Sequence, residues 1–379
     1  MTSRPQPLAE PLYVSHPMLP PLEQYTEALS ELWKSAMLTN GGVFHDRLEV
    51  ALAERMGSGF VSIWNNGTTA LMGALSAMDL SGEVIVTPFT FPATVHAISL
   101  LGLEPVFADI EPDTMTIASA SIAERATDRT TAILGTHVYG ISCDTATIGA
   151  LGRTLGARVV YDGAHSFARP APVFDDSADA LGDATMLSFH ATKLFHTVEG
   201  GALVTRDLEL DRKFRLARNF GIKSETEAEG LGLNGKLSEL HAAMGLQVLA
   251  MLDEELDRRA AIGDRYAQHL AGFEGLTVAA GLDECRQYFV IRISDAFGST
   301  RDELCDALRS VNVHARRYFF PLVSDLHPYS TLASAQELPV AKQVASECLA
   351  LPYHGSITND QIDLIGDLIA WQYAQGRAK

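Results

Sequence analysis

The sequence predicts an α/β protein: a large unit with a mostly parallel central sheet covered by helices, then a smaller α+β unit. Three observations carry this. Short apolar runs alternate with helical stretches from residue 61 to residue 205, the rhythm of strands joined by helical crossovers. After Leu237 long helical stretches take over, and from Gln287 the chain reads strand, helix, strand, helix. The 379 residues are 47% hydrophobic and 20% charged, enough for two packed units with a sizeable core. The boundary is placed near 250. Residues 1–250 form the large unit with an N-terminal arm, and residues 251–379 the small C-terminal one.

The first twenty residues carry prolines at 5, 7, 11, 17 and 20 and read as an extended arm, because proline offers no backbone N–H to a helix. Helices are predicted over Leu22–Met37, ended by Thr39-Asn40-Gly41-Gly42, and from Phe44 to Met56, stopped near Gly57. The strand candidates are Val61–Trp64, Val84–Thr87, Pro105–Ala108, Ala132–Thr136, Val159–Tyr161, Thr185–Ser188 and Ala202–Thr205. Between them Thr69–Met78, Ala93–Leu101, Ser119–Ala126 and Thr145–Leu155 read as helices. In the second unit Leu237–Leu256 and Arg258–Leu270 are predicted helices. Tyr288–Ile293 and Val313–Tyr318 are predicted strands, with helices at Arg301–Val311 and Val340–Cys348.

A formal net charge of −18 disfavours non-specific nucleic-acid binding, which needs a basic surface. The four cysteines, Cys143, Cys285, Cys305 and Cys348, form no CxxC pair, so neither a zinc site nor a disulfide framework is expected. The opening MTSRPQPLAEPLY has no long apolar stretch, and no apolar run reaches bilayer-spanning length. The expected location is therefore the cytoplasm, with no membrane partner.

Four segments at predicted strand ends could carry chemistry. Ser188-Phe-His-Ala-Thr-Lys193 puts a lysine in a polar loop that closes with Gly200-Gly201. Such a lysine forms a Schiff base with a carbonyl if its pKa is lowered, or is a solvated loop residue. The strand ending in Tyr161-Asp162 delivers a carboxylate. If buried it needs a cationic partner, such as a protonated pyridine nitrogen; otherwise it is a turn or cap residue. Asn65-Asn66-Gly67-Thr68-Thr69 opens a helix whose free N–H groups and hydroxyls form an anion cup. Neither GxGxxG nor GxxxxGK[ST] spacing is present there, which disfavours a dinucleotide fold and a nucleotide triphosphatase. Phe89 and Phe91 follow another strand and either stack on a planar group or pack in the core.

In this order and wording the segments resemble the DegT/DnrJ/EryC1/StrS family of nucleotide-sugar aminotransferases, from about Leu19 to Leu368. Further matching stretches are Pro105-Val-Phe-Ala-Asp109-Ile, His137-Val-Tyr-Gly140, Arg218-Asn-Phe-Gly221, Lys236-Leu-Ser-Glu239 and Arg316-Arg-Tyr-Phe-Phe-Pro321. The resemblance implies a fold-type I pyridoxal phosphate enzyme working as a homodimer. Lys193 is then the lysine that carries the cofactor, and Asp162 the partner of its ring nitrogen. His165 stands near the ring hydroxyl. Gly67, Thr68, Thr69 and Ser188 form the phosphate cup, Phe91 is the stacking aromatic, and Asn234 reaches the phosphate from the neighbouring subunit. Glutamate is the implied amino donor.

Substrate contacts are expected from His190, His196, Arg316 and Tyr318, with local packing or bonding as the competing role for the two histidines and a structural ion pair for the arginine. The loop Leu194-Phe-His-Thr-Val-Glu199, and Asn234-Gly-Lys236 in place of Asn-Tyr-Arg, depart from the commoner family wording near the sugar. Ser188-Phe-His-Ala-Thr-Lys193 with Phe195, together with Arg218-Asn-Phe-Gly221, is similar to the subgroup acting on dTDP-4-keto-6-deoxyglucose, and the start Leu19-Pro-Pro-Leu-Glu23 and the turn Leu38-Thr-Asn-Gly-Gly42 favour its 4-aminating members. The alternatives are 3-amination of the isomeric keto sugar and a non-catalytic cofactor-binding sensor. A family dehydratase would carry histidine at Lys193.

Overall fold

The computed structural model describes residues 4–57, 59–281 and 284–378; the first three residues of the expected arm lie outside it. The arm is extended and holds a two-residue strand, β1 (Leu12–Tyr13). Helices α1 (Leu22–Ser35) and α2 (Val43–Met56) follow. No local side chain caps α2. Instead the buried carboxylate of Glu239 accepts the N–H groups of Gly42, Phe44 and His45 at 3.0, 2.8 and 3.1 Å. That satisfies the free donors of the first turn and sets a negative charge at the positive end of the helix. Gly42 permits the approach: a Cβ there would stand 2.6 Å from Glu239 Cδ. Glu239→Ala would leave these donors buried and unpaired. It is expected to cost about 3 kcal/mol of stability, read as a lower urea midpoint.

The α/β alternation then runs β2 (Phe60–Trp64), α3 (Gly67–Ala77), β3 (Glu83–Val86), α4 (Pro92–Leu100), β4 (Glu104–Phe107), α5 (Ser119–Arg125), β5 (Thr130–Thr136), α6 (Thr145–Leu155), β6 (Arg158–Asp162), β7 (Ala184–Ser188) and β8 (Gly201–Thr205). All seven strands join one sheet in the order β2-β8-β7-β6-β5-β3-β4. Only β8 is reversed, antiparallel to both β2 and β7; the other pairings are parallel. Because β8 returns without a helical crossover, the loop 189–200 sits over the carboxyl edge of the sheet. Helices on both faces explain why the central strands are apolar throughout instead of alternating.

Next come α7 (Leu208–Arg218), a short hairpin of β9 (Ile222–Ser224) and β10 (Glu227–Ala228), α8 (Glu239–Ala250) and α9 (Leu252–Leu270). The chain ends with β11 (Leu276–Val278), β12 (Phe289–Ile293), α10 (Arg301–Arg309), β13 (Val313–His314), α11 (Pro339–Glu347), β14 (Cys348–Leu351) and α12 (Asn359–Gly376). Strands β11, β12 and β14 make an antiparallel sheet. Helix α11 repeats the remote-cap device: Asp109 accepts the N–H groups of Val340 and Ala341 at 3.0 and 2.8 Å.

Several expectations are corrected. Leu237–Leu256 is not one helix: α8 begins after its Ser238 cap, ends at Ala250, and α9 starts at Leu252. No glycine or proline marks the break; α8 packs on α1 and α2 while α9 turns to pack on α12. The strand expected over Val313–Tyr318 shrinks to β13, after which the chain bends toward the large sheet's carboxyl edge. The helix expected to reach Cys348 stops at Glu347, and Cys348 opens β14. The arm, grouped with residues 1–250 from sequence, pairs with the other unit: Leu12 and Tyr13 lie beside Val313 and His314 in parallel register. Among the described residues no helix is long and apolar enough to cross a membrane.

Candidate active site

A cavity of about 320 Å³ opens at the carboxyl ends of β5, β6 and β7. Its other walls are the amino ends of α3 and α4 and the bend that follows β13. This is where open α/β sheets gather ligands.

Gly67 and Thr68, at the start of α3, form one wall opposite Ser188. Asn66 caps the helix by accepting the Thr69 N–H at 2.8 Å. A Cβ at Gly67 would stand 3.0 Å from Met186 Sδ and 3.3 Å from Ser188 Cβ, so glycine lets α3 close against the end of β7. Thr69 departs from the expected cup. Its hydroxyl bonds back to Asn65 and Asn66, and it is absent from the cavity wall.

Asp162 ends β6 and is 4% exposed. Its Oδ2 accepts the Thr94 hydroxyl at 2.6 Å and its Oδ1 the Ala164 N–H at 3.0 Å. Burial raises its pKa, while Thr94, Ala164 and the charge of Lys193 pull the other way.

Lys193 projects from the loop between β7 and β8, half-buried, with its ammonium 6.0 Å from the centre of the Tyr288 ring. Burial depresses its pKa to about 8; Asp162 opposes that shift and Arg316 adds to it. Its backbone is fixed on both sides. The Lys193 N–H donates to His190 O at 2.8 Å, and the amide of buried Gln287 bonds Leu194 N at 2.9 Å and Thr192 O at 3.4 Å.

His165 is buried and accepts the Tyr139 N–H on Nδ1 at 3.1 Å. Nε2 therefore carries the ring proton, and burial, then Lys193, holds the imidazole neutral. The ring lies within 10° of parallel to Tyr139 and Phe319 and edge-on to Tyr288. Phe91, 54% exposed, stands at the cavity wall just before α4.

The remaining expected residues divide. His190, Arg316 and Tyr318 line the cavity. His190 Nε2 lies 3.5 Å from Glu199 Oε1, and Glu199 is also in the wall. Arg316 is exposed and stacks on Tyr318 at 4.7 Å, whereas its neighbour Arg317 forms the structural ion pair, with Asp302 at 3.2 Å. His196 does not reach the cavity. It is 1% exposed, its Nε2 donates to Met18 O at 2.8 Å, and its Nδ1 accepts the Val198 N–H at 3.2 Å. It is a latch on the arm, because both ring nitrogens are already bonded to backbone. Asn234 is exposed and outside its own chain's cavity, with its carbonyl bonded to Asn65 at 3.0 Å.

Sequence reasoning missed Thr90, Thr94, Thr136, Gln287 and Phe319. Thr90 and Thr94 stand four apart at a helix start, a spacing that puts them on one face; that signal was present beside the aromatics that drew attention. Thr136 ends an apolar strand and Phe319 lies in the matching stretch Arg316–Pro321, signals that went unused; Gln287 gave none.

Residues 22–370 match the DegT/DnrJ/EryC1/StrS aminotransferase family. The chain is 39% identical to a dTDP-4-amino-4,6-dideoxy-D-glucose transaminase of Shigella dysenteriae, over 94% of this chain and 98% of that protein. It is 35% identical to one of Escherichia coli, over 94% and 97%. Its fold superposes on the crystal structure of DesI with its TDP-sugar product at a TM-score of 0.91 and 34% identity, covering 99% of this chain and 96% of that one. With a match that spans both units and the whole cavity, the chain belongs to the DegT/DnrJ/EryC1/StrS aminotransferase family.

Proposed function

We propose that this chain uses pyridoxal phosphate to move an amino group from L-glutamate to the 4-keto carbon of dTDP-4-keto-6-deoxy-D-glucose. The product is dTDP-4-amino-4,6-dideoxy-D-glucose, an aminodeoxysugar donor. One observation carries the reading: a single cavity joins a lysine whose pKa is lowered to about 8, a buried carboxylate and a helix amino end, in a relative of transaminases that act on this sugar.

The residues present fit the cofactor. Gly67, Thr68 and Ser188 offer a seat for its phosphate at the start of α3. Asp162 is a buried anion in want of a cationic partner. His165 offers an Nε2 proton to a ring oxygen, and Phe91 a face to stack on. When bound, pyridoxal phosphate supplies the electron sink. Lys193 Nζ would hold it and, as a free amine, would carry the proton to and from the reacting carbon as general base and acid. Asp162 would keep the ring nitrogen protonated. Arg316, with no carboxylate within 4.0 Å among the described residues, is placed to take a phosphate or carboxylate of the substrates.

The neutral amine is the nucleophile, so deprotonation switches Lys193 on. Capture of added pyridoxal phosphate is expected to speed up roughly tenfold per pH unit below the lysine pKa. It should level off above about 8, as followed by stopped-flow absorbance.

The reading includes a homodimer with shared sites. Trp33, Leu22 and Leu231 are 71%, 72% and 89% exposed, large apolar side chains of the kind a second copy would cover, and Asn234 is exposed and so open to a neighbour's cup. It also includes the cytoplasm, a setting that suits four unpaired buried cysteines. The test is to supply the keto sugar and glutamate to the holoenzyme and identify the product by NMR. A 4-amino-4,6-dideoxy sugar is expected; a 3-amino product, or none with a lysine-bound cofactor present, would refute the assigned substrate.

A further inference from the structure

We propose that Thr94 is a positioning residue for Asp162, the head of a relay of three threonine hydroxyls whose protons all run toward the carboxylate. The inference rests on the reading of Asp162 as partner of the cofactor's ring nitrogen. Thr94 Oγ1 lies 2.6 Å from Asp162 Oδ2, Thr90 Oγ1 2.9 Å from Thr94 Oγ1, and Thr136 Oγ1 3.0 Å from Thr90 Oγ1. Each hydroxyl has one proton, and an ionised carboxylate only accepts. Thr94 therefore commits its proton to Asp162 and accepts from Thr90. Thr90 in turn accepts from Thr136. The direction of every bond is fixed by the anion at the end.

Thr90, Thr94 and Thr136 are 1%, 1% and 3% exposed, so water does not compete and the aligned dipoles reinforce one another. Three elements meet in this chain: the start of α4, the end of β5 and the end of β6. With Ala164 N–H on Oδ1 at 3.0 Å, both carboxylate oxygens are tied and the plane of the group is set. An O–H···O⁻ bond of this length is of the strong, charge-assisted kind. Without it burial would favour the protonated acid, which cannot pair with a protonated ring nitrogen.

The test dialyses full-length holoenzyme against graded pyridoxal phosphate and reads retained cofactor by absorbance. The variants are Thr94→Val, Thr94→Ser and Asp162→Ala, and Thr94→Val combined with Asp162→Ala. Thr94→Val is expected to raise the cofactor Kd roughly tenfold or more, and Thr94→Ser to stay within about threefold of wild type. On the Asp162→Ala background Thr94→Val should add nothing, since it acts through the missing carboxylate. Thr90→Val and Thr136→Val should give progressively smaller rises, and they carry the test if Thr94→Val does not fold. A Thr94→Val Kd within about twofold of wild type would overturn the proposal. So would serine failing to rescue, an effect that persists without Asp162, or equal effects at all three threonines. If Asp162→Ala itself leaves the Kd unchanged, the reading of Asp162 falls, and the relay's role with it.

Discussion

Lys193→Ala is expected to lower transamination by roughly 1000-fold or more, because it removes both the covalent anchor and the proton carrier. The remaining cavity is intact in this variant. Gly67, Thr68 and Ser188 still line it, and Asp162 keeps its bonds to Thr94 and Ala164. The protein should therefore still bind pyridoxal phosphate, more weakly, with the spectrum of the free aldehyde in place of the lysine-bound band. Single-turnover kinetics with glutamate measure the loss. Activity within tenfold of wild type would place the reacting amine elsewhere, whereas loss of folding is not expected because Lys193 is anchored through its backbone and not its side chain.

Asp162→Asn is expected to cut kcat/KM by roughly 100-fold to 1000-fold. Asparagine keeps the volume and one acceptor for Thr94, but it has no charge to hold a proton on the ring nitrogen. Stability should change little. Burial holds the Asp162 carboxyl above its usual range, so its ionised form weighs against the cofactor-free fold at pH values above that range. The neutral amide removes that penalty but turns its NH2 toward the Ala164 N–H, and these opposed effects should leave the melting temperature of the cofactor-free variant within a few degrees of wild type. A variant both inactive and strongly destabilised would mean that Asp162 is chiefly structural.

Much of the fold was legible because each sheet strand is a short apolar run closed by a polar residue or a glycine. Asp162 and Ser188 stand out for the same reason: they are the polar residues on which apolar strands end. Lys193 stood out as the one lysine in the loop between two predicted strands. Its lowered pKa could not be read there, since burial in the cavity is what produces it. The break at Met251 and the early end of β13 were hidden, because local composition suits a longer element in each case and tertiary packing decides. The threonine that holds Asp162 lies 68 positions away from it, and Gln287 reaches the lysine loop from the second unit. His196 flanks Lys193 in sequence, and of its two expected roles the structure shows the local one, with the arm claiming its ring. Family wording supplied roles that spacing alone left open, most of all for His165 and Asn234.

The arm has one more consequence, for the order of events as the chain is made. Leu12 pairs with Val313, and Leu8 N–H and Asn312 Nδ2 add bonds to Val311 and Leu8 carbonyls at 3.1 and 2.7 Å. Tyr353 N–H then bonds Val14 O at 3.0 Å. Strand β1 thus waits for partners synthesised some three hundred residues later. At about 5–20 residues per second, that delay is tens of seconds. Most of the arm's pairing partners come late, so its docking closes the structure behind an already formed large sheet. The prolines that line it have no N–H to leave unsatisfied in the interval. They also discourage it from pairing with the wrong edge.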